Sequence, residues 1–542
     1  MVVLGLHKDP WHNTGAAMIR EDAAGVRFVN LGEERANREK DSRKFPARAI
    51  RACMEQLQVS SVSEIDLVVL DYIVKPEWSG DWYRRPCDTN NFLSRMDPRN
   101  IHVINHHLAH AYNVFYSSNF ESAAILIVDG RGSEKETQSL FLAGPEGIEL
   151  VESTTVIGIG LLYAAVTHAI GFGLLQEGKT MGLAPYGAAV KKRIFHFPRN
   201  YSGVITDYSS VCTEDSYEMA ASHEPIVTFD DKARAAFEVQ EETEAAFLHL
   251  ARYALDRTCA EHLCLSGGVA LNSVANYKVL RSGIFKDIFI NPAASDTGIP
   301  LGAALYGYHE ISKRPKSYSH ISPYLGPSYN PDRVTAAVEA YRGTTYHQQA
   351  FEGFAVLEND PLSSAVEMLV RNKIVACFQG RSEMGPRALG NRSILMSPLL
   401  AENKDTLNGF VKHREAFRPF APAVLEEFAQ DYFEIDRPSP YMLFVPSVVE
   451  EKRRFIPAVT HVDGTGRLQT VSREFNPHLY SIIESFHAKT GVPVLLNTSF
   501  NVANEPIVET PDDALRCFLS TGIDALLIGD YLLVKEAKAK AG

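Results

Sequence analysis

The sequence is poor in cysteine, with seven thiols in 542 residues and no CxxC pair among them. Cysteine-rich zinc modules and small disulfide-stabilised secreted domains both need closely spaced cysteines, so neither class fits. We predict reduced thiols that lie mostly in the hydrophobic core. The amino terminus also lacks the basic flank and the long apolar stretch of a signal peptide, which favours a cytoplasmic protein.

Basic charge and long apolar runs are scarce as well. Lysine and arginine number 54 against 66 acidic residues, which gives a net charge of −12. Phosphate backbones and anionic lipid surfaces require basic faces, so we expect no nucleic acid and no membrane among the partners. Residues 155–175 form the one long apolar run, but four glycines and His168 interrupt it. We interpret this run as a buried helix or helix pair rather than a membrane span.

The chain is long enough for at least two domains, because a single core rarely extends over so many residues. Apolar strand-like runs alternate with helical stretches, which predicts an α/β fold. Strands are expected at 16–19, 67–70, 101–104, 124–128 and 374–378, and helices at 241–262 and 363–371. Proline, serine, tyrosine and glycine dominate residues 313–331. We place a boundary there and expect domains at 1–330 and 331–542.

The first domain carries residues with the spacing of metal ligands. His106 and His110 are four positions apart, so on a helix their imidazoles point to one side and can share a metal ion. Asp129 follows a buried strand-like run, and Asp296 stands in a turn before a glycine-containing helix start. We predict that these four residues hold a divalent metal. Ordinary core or loop histidines without a metal are the alternative.

Glycine-rich turns in the same domain indicate contact with a cofactor. Gly267 and Gly268 lie between a predicted strand and a helix start at Asn272, where backbone N–H groups can reach a phosphate or ribose. A tight turn explains a glycine pair equally well. Lys179 lies in a second glycine-rich loop and is available for a phosphate. His12, in the turn of a predicted hairpin, is either a general base or a surface residue.

The second domain contains the densest cationic pattern of the sequence. Its candidate binding residues lie among glycines, prolines and aromatic residues: Arg387, Arg392, Lys412, Arg414, Arg418, Arg467, Ser499 and Asn501. In an acidic protein this pattern favours a site for a triphosphate or an acyl phosphate, because arginine forks bind phosphate with two hydrogen bonds. A solvated basic face is the alternative, although the interleaved prolines and aromatic residues argue against a plain solvated helix.

Together these motifs resemble the family of nodulation protein U and the antibiotic O-carbamoyltransferases of tobramycin and cephem type. The matching strings in the first half are His12 with 14–17, then 33–35, 106–111, 129–130, 177–183, 267–272 and 296–298. In the second half they are 385–393, 417–422 and 497–501. They follow the family order along nearly the whole chain. One departure is Asn13, where the family usually has aspartate.

The resemblance implies an amino-terminal domain of the actin-like ATPase superfamily, which is RNase H-like, and a carboxy-terminal YrdC-like α/β domain. The YrdC-like domain of the family converts carbamoyl phosphate and ATP to carbamoyl-adenylate and releases pyrophosphate. The actin-like domain then passes the carbamoyl group to a hydroxyl and releases AMP.

The resemblance also implies roles for particular residues. Lys412, Arg418 and Arg467, with Arg414, would neutralise the phosphates, and His12 would take the proton of the acceptor hydroxyl. The metal would be iron or a similar divalent ion, with zinc and manganese open, and Mg²⁺ would accompany ATP.

Other functions compete with this interpretation. An actin-fold small-molecule kinase would use a similar nucleotide cleft, but it leaves the arginines of the second domain unexplained. A tRNA threonylcarbamoyl-type transferase needs a basic docking surface, which the net charge of −12 disfavours. A metal-dependent binding protein without catalytic activity is a third option. The sequence leaves the acceptor hydroxyl open, and an aminosugar, a cephem and a lipo-oligosaccharide are all candidates. It also leaves open whether the protein forms a homodimer.

Overall fold

The computed structural model describes residues 1–8, 12–72, 92–213, 218–220, 223–342, 351–357 and 359–537. The chain divides into two compact units. The first unit comprises Met1–Asn37 and Asp41–Pro323, and the second comprises Arg38–Lys40 and Tyr324–Gly542. Both units combine helices with β-sheets, which confirms the predicted α/β class.

The first unit contains the longer series of strands. These are β1 (Val2–His7), β2 (Gly15–Asp22), β3 (Gly25–Gly32), β4 (Leu67–Tyr72), β5 (Ile101–Asn105), β6 (Ala123–Val128), β7 (Gln138–Gly144), β8 (Gly147–Thr154), β9 (Asn200–Ser202), β10 (Ile205–Asp207), β11 (His262–Ser266) and β12 (Asp287–Ile290). Its helices are α1 (Glu33–Asn37), α2 (Ala47–Gln56), α3 (His106–Ser117), α4 (Ile159–Ala169), α5 (Glu177–Leu183), α6 (Phe229–Thr258), α7 (Ser273–Arg281) and α8 (Ile299–Tyr306).

Two sheets of the first unit share one topology. The strand order of the first is β3-β2-β1-β4-β5, and that of the second is β8-β7-β6-β11-β12. In each sheet the first three strands along the chain pair antiparallel, and the last two run parallel to the first. This order is that of the RNase H-like fold, and its duplication is the arrangement of actin-like ATPases. The actin-like fold class is therefore confirmed.

Close packing of helix α8 positions the candidate ligands of the first unit. A Cβ at Gly302 in α8 would collide with the carbonyl oxygen of Ala109 in α3, and one at Gly5 in β1 would collide with the carbonyl oxygen of Pro300. Only glycine permits backbones to approach this closely. The start of α8 is thereby held beside the helix that carries the paired histidines.

Two sequence expectations about helices have different outcomes. The apolar run at 155–175 contains the buried helix α4, and none of the helices within the described ranges is long and apolar enough to cross a bilayer. The helix expected at 241–262 is wrong at both ends. Helix α6 begins at Phe229, because Thr228 and Asp231 form a capping box there, and it stops after Thr258 with Cys259 in the left-handed conformation.

The second unit is built on one mixed sheet. Its strands are β13 (Phe351–Leu357), β14 (Val375–Phe378), β15 (Arg392–Met396), β16 (Ala421–Leu425), β17 (Gln469–Val471), β18 (Val494–Ser499), β19 (Ala525–Ile528) and β20 (Tyr531–Ala537), in the order β13-β20-β19-β14-β15-β18-β16-β17. Its helices are α9 (Pro331–Tyr341), α10 (Pro361–Val370), α11 (Glu402–Leu407), α12 (Ala429–Tyr432), α13 (Pro477–Thr490) and α14 (Pro511–Ser520). This mixed α/β sheet is of the class expected for a YrdC-like domain.

Candidate functional site

The carboxyl ends of the strands of the first unit bring polar side chains together. His7 ends β1, Asp71 lies near the end of β4, and Asp129 directly follows β6. His106 begins helix α3, which the side chain of Asn105 caps by accepting a backbone hydrogen bond. Ligands of α/β sheets commonly bind at this edge, where the strands end.

The four predicted metal ligands lie within reach of one ion. Nε2 of His110 is 3.0 Å from Oδ2 of Asp129 and 3.6 Å from Oδ1 of Asp296. Nε2 of His106 is 3.6 Å from Oδ2 of Asp129 and 3.5 Å from Oδ1 of Asp296. One ligand atom from each of these four buried residues lies within 4.8 Å of the others. Two imidazoles and two carboxylates in so small a group have the composition of a divalent metal site.

The orientation of these side chains also fits a metal. Oδ1 of Asp129 accepts hydrogen bonds from the N–H groups of Gly130 (2.7 Å) and Gly268 (3.1 Å), which leaves Oδ2 facing the two histidines. Nε2 of His106 is buried and makes no hydrogen bond to any residue in the described ranges. Either a proton or a metal ion can satisfy such a nitrogen between two carboxylates, and this donor set suits iron, zinc and manganese alike.

Charge pairing inside the cluster shifts its pKa values. Burial opposes ionisation of Asp129 and Asp296, but His106 and His110 outweigh it and hold the pKa of both carboxyls below their usual range. Burial alone would lower the pKa of His106, yet the surrounding carboxylates raise it well above its usual value. A bound metal would replace that proton, because an imidazole ligates through its unprotonated nitrogen.

Two residues that the sequence interpretation missed belong to the same cluster. Oδ1 of Asp71 is 2.8 Å from Nδ1 of His7, and Oδ2 is 2.8 Å from Nδ1 of His106. Burial disfavours the charge of Asp71, but the two histidines hold the pKa of its carboxyl at about 2. Both residues end apolar strands, which is the signal that singled out Asp129, so the sequence did contain the information.

His12 lies at the edge of this cluster. It stands in the hairpin between β1 and β2, as predicted, and its Nδ1 is 3.5 Å from Oδ2 of Asp296. Its side chain is 27% exposed, whereas those of His106 and His110 are closed off from solvent. Asn13 follows with a φ of 57°, a left-handed conformation that asparagine tolerates. A small molecule arriving from solvent can therefore reach His12.

The glycine pair at 267–268 shapes the backbone around Asp129. Gly267 has a φ of 92°, and a Cβ there would collide with the carbonyl oxygen of Val128 at the end of β6. The N–H of Gly268 binds Asp129, and a Cβ on Gly268 would lie 3.1 Å from Oδ1 of that carboxylate. Both glycines thus contribute to holding a candidate ligand in place.

Two other candidates for cofactor binding, Asn272 and Lys179, differ in their surroundings in the first unit. The side chain of Asn272 caps helix α7 through the N–H of Ala275 and exchanges hydrogen bonds with Gln240. Lys179 lies on α5, where its Nζ stands 5.5 Å from the centre of the Phe172 ring. Asn272 therefore has a structural task that the sequence did not reveal.

Lys412, Ser499 and Asn501 form one hydrogen-bonded group in the second unit. Nζ of Lys412 donates to the backbone oxygen of Ser499, to the Ser499 hydroxyl at 3.2 Å and to Oδ1 of Asn501 at 2.8 Å. The Ser499 hydroxyl in turn lies 2.7 Å from Oδ1 of Asn501. Burial, followed by repulsion from Arg414, lowers the pKa of Lys412 well below its usual value.

Four predicted arginines form a partly buried group of like charge. Burial, and next the neighbouring Arg418, lower the pKa of Arg387 to about 10 and that of Arg414 to about 9. Burial and then repulsion by the other three lower the pKa of Arg467 well below its usual range. Within the described part of the chain, Nε of Arg387 and Nε of Arg467 have no hydrogen-bond partner. Buried like charges are costly unless an anion lies among them, so this group suits a phosphate-bearing ligand.

Arg392 lies in the core of the second unit rather than with these arginines. Its guanidinium donates to the carbonyl oxygens of Gln379 (2.7 Å) and Asn391 (3.0 Å) and stacks 3.7 Å from the centre of the Phe378 ring. The side chain is fully buried. Arg392 therefore braces the backbone of its loop, and we leave it out of the anion site.

Glu383 is a further residue that the sequence interpretation passed over. Its Oε1 accepts backbone hydrogen bonds from Leu389 (2.8 Å), Asn391 (2.7 Å) and Arg392 (3.1 Å). The carboxylate thus fixes the loop that carries Arg387. The sequence gives only a weak signal for this role of Glu383, because a single acidic residue inside a basic motif is also expected in an ordinary surface ion pair.

Comparison with known proteins identifies the family of the chain. The model of the carbamoyltransferase amino-terminal family matches residues 83–305, and that of the carboxy-terminal family matches residues 366–535. Nodulation protein NolNO of Sinorhizobium fredii is 38% identical over 97% of this chain and 79% of its own length. The 3'-hydroxymethylcephem-O-carbamoyltransferase of Amycolatopsis lactamdurans is 36% identical over 49% of this chain and 48% of its own length.

Among solved structures, the activator of the 2-hydroxyisocaproyl-CoA dehydratase from Clostridium difficile aligns with 59% of this chain and all of its own. That alignment has 15% identity and a TM-score of 0.33, so the fold assignment depends on the strand order instead. The two family models and the match to NolNO show that the chain belongs to the carbamoyltransferase family.

Proposed function

We propose that the chain is an ATP-dependent O-carbamoyltransferase, with carbamoyl phosphate as donor and a hydroxyl of a natural product or sugar as acceptor. The observation that carries this proposal is the partly buried group of Arg387, Arg414, Arg418 and Arg467 near the buried Lys412. A concentration of cations of this kind suits two phosphorylated substrates bound together, and ATP with carbamoyl phosphate is such a pair.

The first half-reaction takes place in the second unit. Water cleaves carbamoyl phosphate to carbamate and inorganic phosphate, and a carbamate oxygen then attacks the α-phosphorus of ATP. Carbamoyl-adenylate forms and pyrophosphate leaves, with Mg²⁺ accompanying the nucleotide. Arg418 and Arg467 bind the phosphate oxygens through their forks, and Lys412 adds a compact positive charge from the position that Ser499 and Asn501 fix.

The second half-reaction takes place in the first unit. The acceptor hydroxyl attacks the carbamoyl carbon, AMP leaves, and His12 takes the hydroxyl proton. His106, His110, Asp129 and Asp296 would hold the divalent metal, iron first and zinc or manganese as alternatives, which when bound would supply Lewis-acid polarisation of the carbamoyl group. Gly267, Gly268 and Lys179 are the residues we propose for contact with the adenylate.

The relatives support a hydroxyl acceptor. The name of the Amycolatopsis enzyme states that a hydroxymethyl group of a cephem is carbamoylated on oxygen. The net charge of −12 supports small-molecule substrates rather than a nucleic acid. We propose a cytoplasmic enzyme of secondary metabolism. Whether it forms a homodimer is a separate property to measure.

The decisive experiment separates adenylation from phosphoryl transfer. Purified protein with ATP and Mg²⁺ should release pyrophosphate only when carbamoyl phosphate is present, even without an acceptor. Pyrophosphate, ADP and AMP are measured in the same reaction. Formation of ADP and a phosphorylated product, without pyrophosphate, would favour the kinase and overturn the proposal.

A further inference from the structure

Asp71 is shared by two histidines at the centre of the first unit. Each of its two oxygens lies 2.8 Å from an Nδ1 atom, one on His7 and the other on His106. Asp71 and both rings are buried. Asp71, on strand β4, therefore holds two side chains in place, one from strand β1 and one from helix α3.

The hydrogen bonds determine which nitrogen of each ring carries the proton. An ionised carboxylate only accepts, so both Nδ1 atoms must donate. In the neutral imidazole the proton on Nδ1 leaves a lone pair on Nε2. For His106 that nitrogen is the one directed at Asp129 and Asp296, at 3.6 Å and 3.5 Å. Asp71 thus selects the form of His106 that can ligate.

His110 obtains the same form from a different partner. The hydroxyl of Ser266 donates to the carbonyl oxygen of Ala294 at 3.0 Å, so its oxygen is left to accept from Nδ1 of His110 at 3.2 Å. Nε2 of His110 donates to Oδ2 of Asp129 at 3.0 Å in the absence of a metal, and a bound metal ion would replace that proton while Nδ1–H stays on Ser266. Two different acceptors, Asp71 for His106 and Ser266 for His110, therefore orient the two imidazoles toward Asp129 and Asp296.

We propose that Asp71 and Ser266 are positioning residues that fix the Nδ1–H form of His106 and His110 and thereby set the metal affinity of the first unit. This inference rests on the proposed metal site. Partners behind ligating histidines commonly account for a 10- to 100-fold change in metal affinity, roughly, and a carboxylate partner is stronger than a hydroxyl.

The test measures metal affinity rather than turnover. Metal-free full-length protein is titrated with Co²⁺ in competition with a chelator, and the visible ligand-field spectrum is recorded. Asp71→Ala should weaken Co²⁺ binding roughly 10- to 100-fold. Asp71→Asn should recover part of the affinity, because its amide oxygen still accepts from Nδ1 of His106. Ser266→Ala should show a smaller loss.

Ser139→Ala is the matched control. Its hydroxyl lies 2.7 Å from Nδ1 of His107, a buried histidine on the same helix that is outside the ligand set. This variant should keep wild-type Co²⁺ affinity, and pyrophosphate release by the second unit should be intact in every variant.

The outcomes separate the two hypotheses. Wild-type protein that fails to bind Co²⁺ would overturn the metal site itself. Normal binding by the wild type, together with unchanged affinity in Asp71→Ala and Ser266→Ala, would overturn the positioning proposal alone. Equal losses in Asp71→Ala and Asp71→Asn would overturn it too, since an accepted hydrogen bond would then not be what Asp71 provides. If Asp71→Ala fails to fold, Asp71→Asn and Ser266→Ala decide by the same criteria.

Discussion

The two units bury charge in opposite ways. In the cluster of the first unit, histidines and aspartates alternate, so each histidine faces a carboxylate. In the second unit, burial first and a neighbouring arginine next lower the pKa of the partly buried Arg414, and Glu415 partly offsets the lowering for Arg414 and Arg418. The first cluster balances its own charge, whereas the arginines of the second carry positive charge that a bound anion would balance.

This difference indicates which chemistry suits each unit. A balanced group of imidazoles and carboxylates can exchange a proton for a metal ion with little change elsewhere. A group of like charges is stabilised most when a polyanion binds to it. This stabilisation increases as negative charge develops on the phosphates in the transition state. The two half-reactions that we propose suit these two environments, and variants in one unit should leave the other half-reaction intact.

Removing a metal ligand should have the largest effect. In His106→Ala we expect loss of bound metal and of carbamoyl transfer, because one of the two imidazoles disappears from the quartet. Pyrophosphate release should persist, since the arginines lie in the second unit. Elemental analysis and a pyrophosphate assay on one preparation measure both. Full metal occupancy in this variant would remove His106 from the ligand set.

Replacing the exposed histidine of the first unit should slow one step only. His12→Asn should keep metal and pyrophosphate release but reduce acceptor carbamoylation by roughly 10²- to 10⁴-fold, as for loss of a general base. The defect should shrink as pH rises, because the hydroxyl then loses its proton more readily. A pH profile of transfer rate measures this. Transfer at the wild-type rate at neutral pH would give His12 a structural or substrate-shaping role.

Removing an arginine of the second unit should affect adenylate formation. Arg467→Ala or Arg418→Ala should cost this step on the order of 2–5 kcal/mol, since each loses a charged fork in a partly buried site. Arg473→Ala is the control, because Arg473 is 62% exposed and pairs with Glu484. Unchanged pyrophosphate release in both site variants would place the first half-reaction elsewhere.

A subtler change should perturb a single ligand. Gly268→Ala would put a Cβ 3.1 Å from Oδ1 of Asp129. That carboxylate must shift by a few tenths of an ångström, and we expect a few-fold loss of metal affinity, about 1 kcal/mol. Gly130→Ala is the control, because its N–H binds the same oxygen but a Cβ there meets no atom within 4 Å apart from its two chain neighbours. Similar Co²⁺ affinities in the two variants would contradict this prediction.

The sequence was sufficient for the fold class and for the grouping of the metal-ligand candidates. Residue type and spacing placed His106 and His110 on one helix, and strand-end position singled out Asp129. Asp71 and His7 also lie where apolar strands end and were missed, although the candidate His12 follows His7 closely in the sequence. Their importance appears only when β1 and β4 pair side by side.

The direction of a side chain was harder to predict than its place in the chain. Arg387 and Arg392 stand in one motif, yet the first joins the partly buried arginine group and the second donates to carbonyl oxygens in the core. Periodicity cannot separate them, because the left-handed glycines at 385 and 390 redirect the backbone between them. The sequence prediction started helix α6 too late, because the capping box at Thr228 precedes the amphipathic stretch on which the prediction was based.

The wide sequence separation of the metal-ligand candidates has a consequence for folding. His106 and Asp296 are 190 positions apart, and the residues between them include most of the second sheet and helices α4 to α7. Contacts of such long range form late, because the chain must first meet the entropy cost of closing the large loop. The quartet is therefore complete only when both sheets have paired, and capture of a metal ion would mark the end of folding of the first unit.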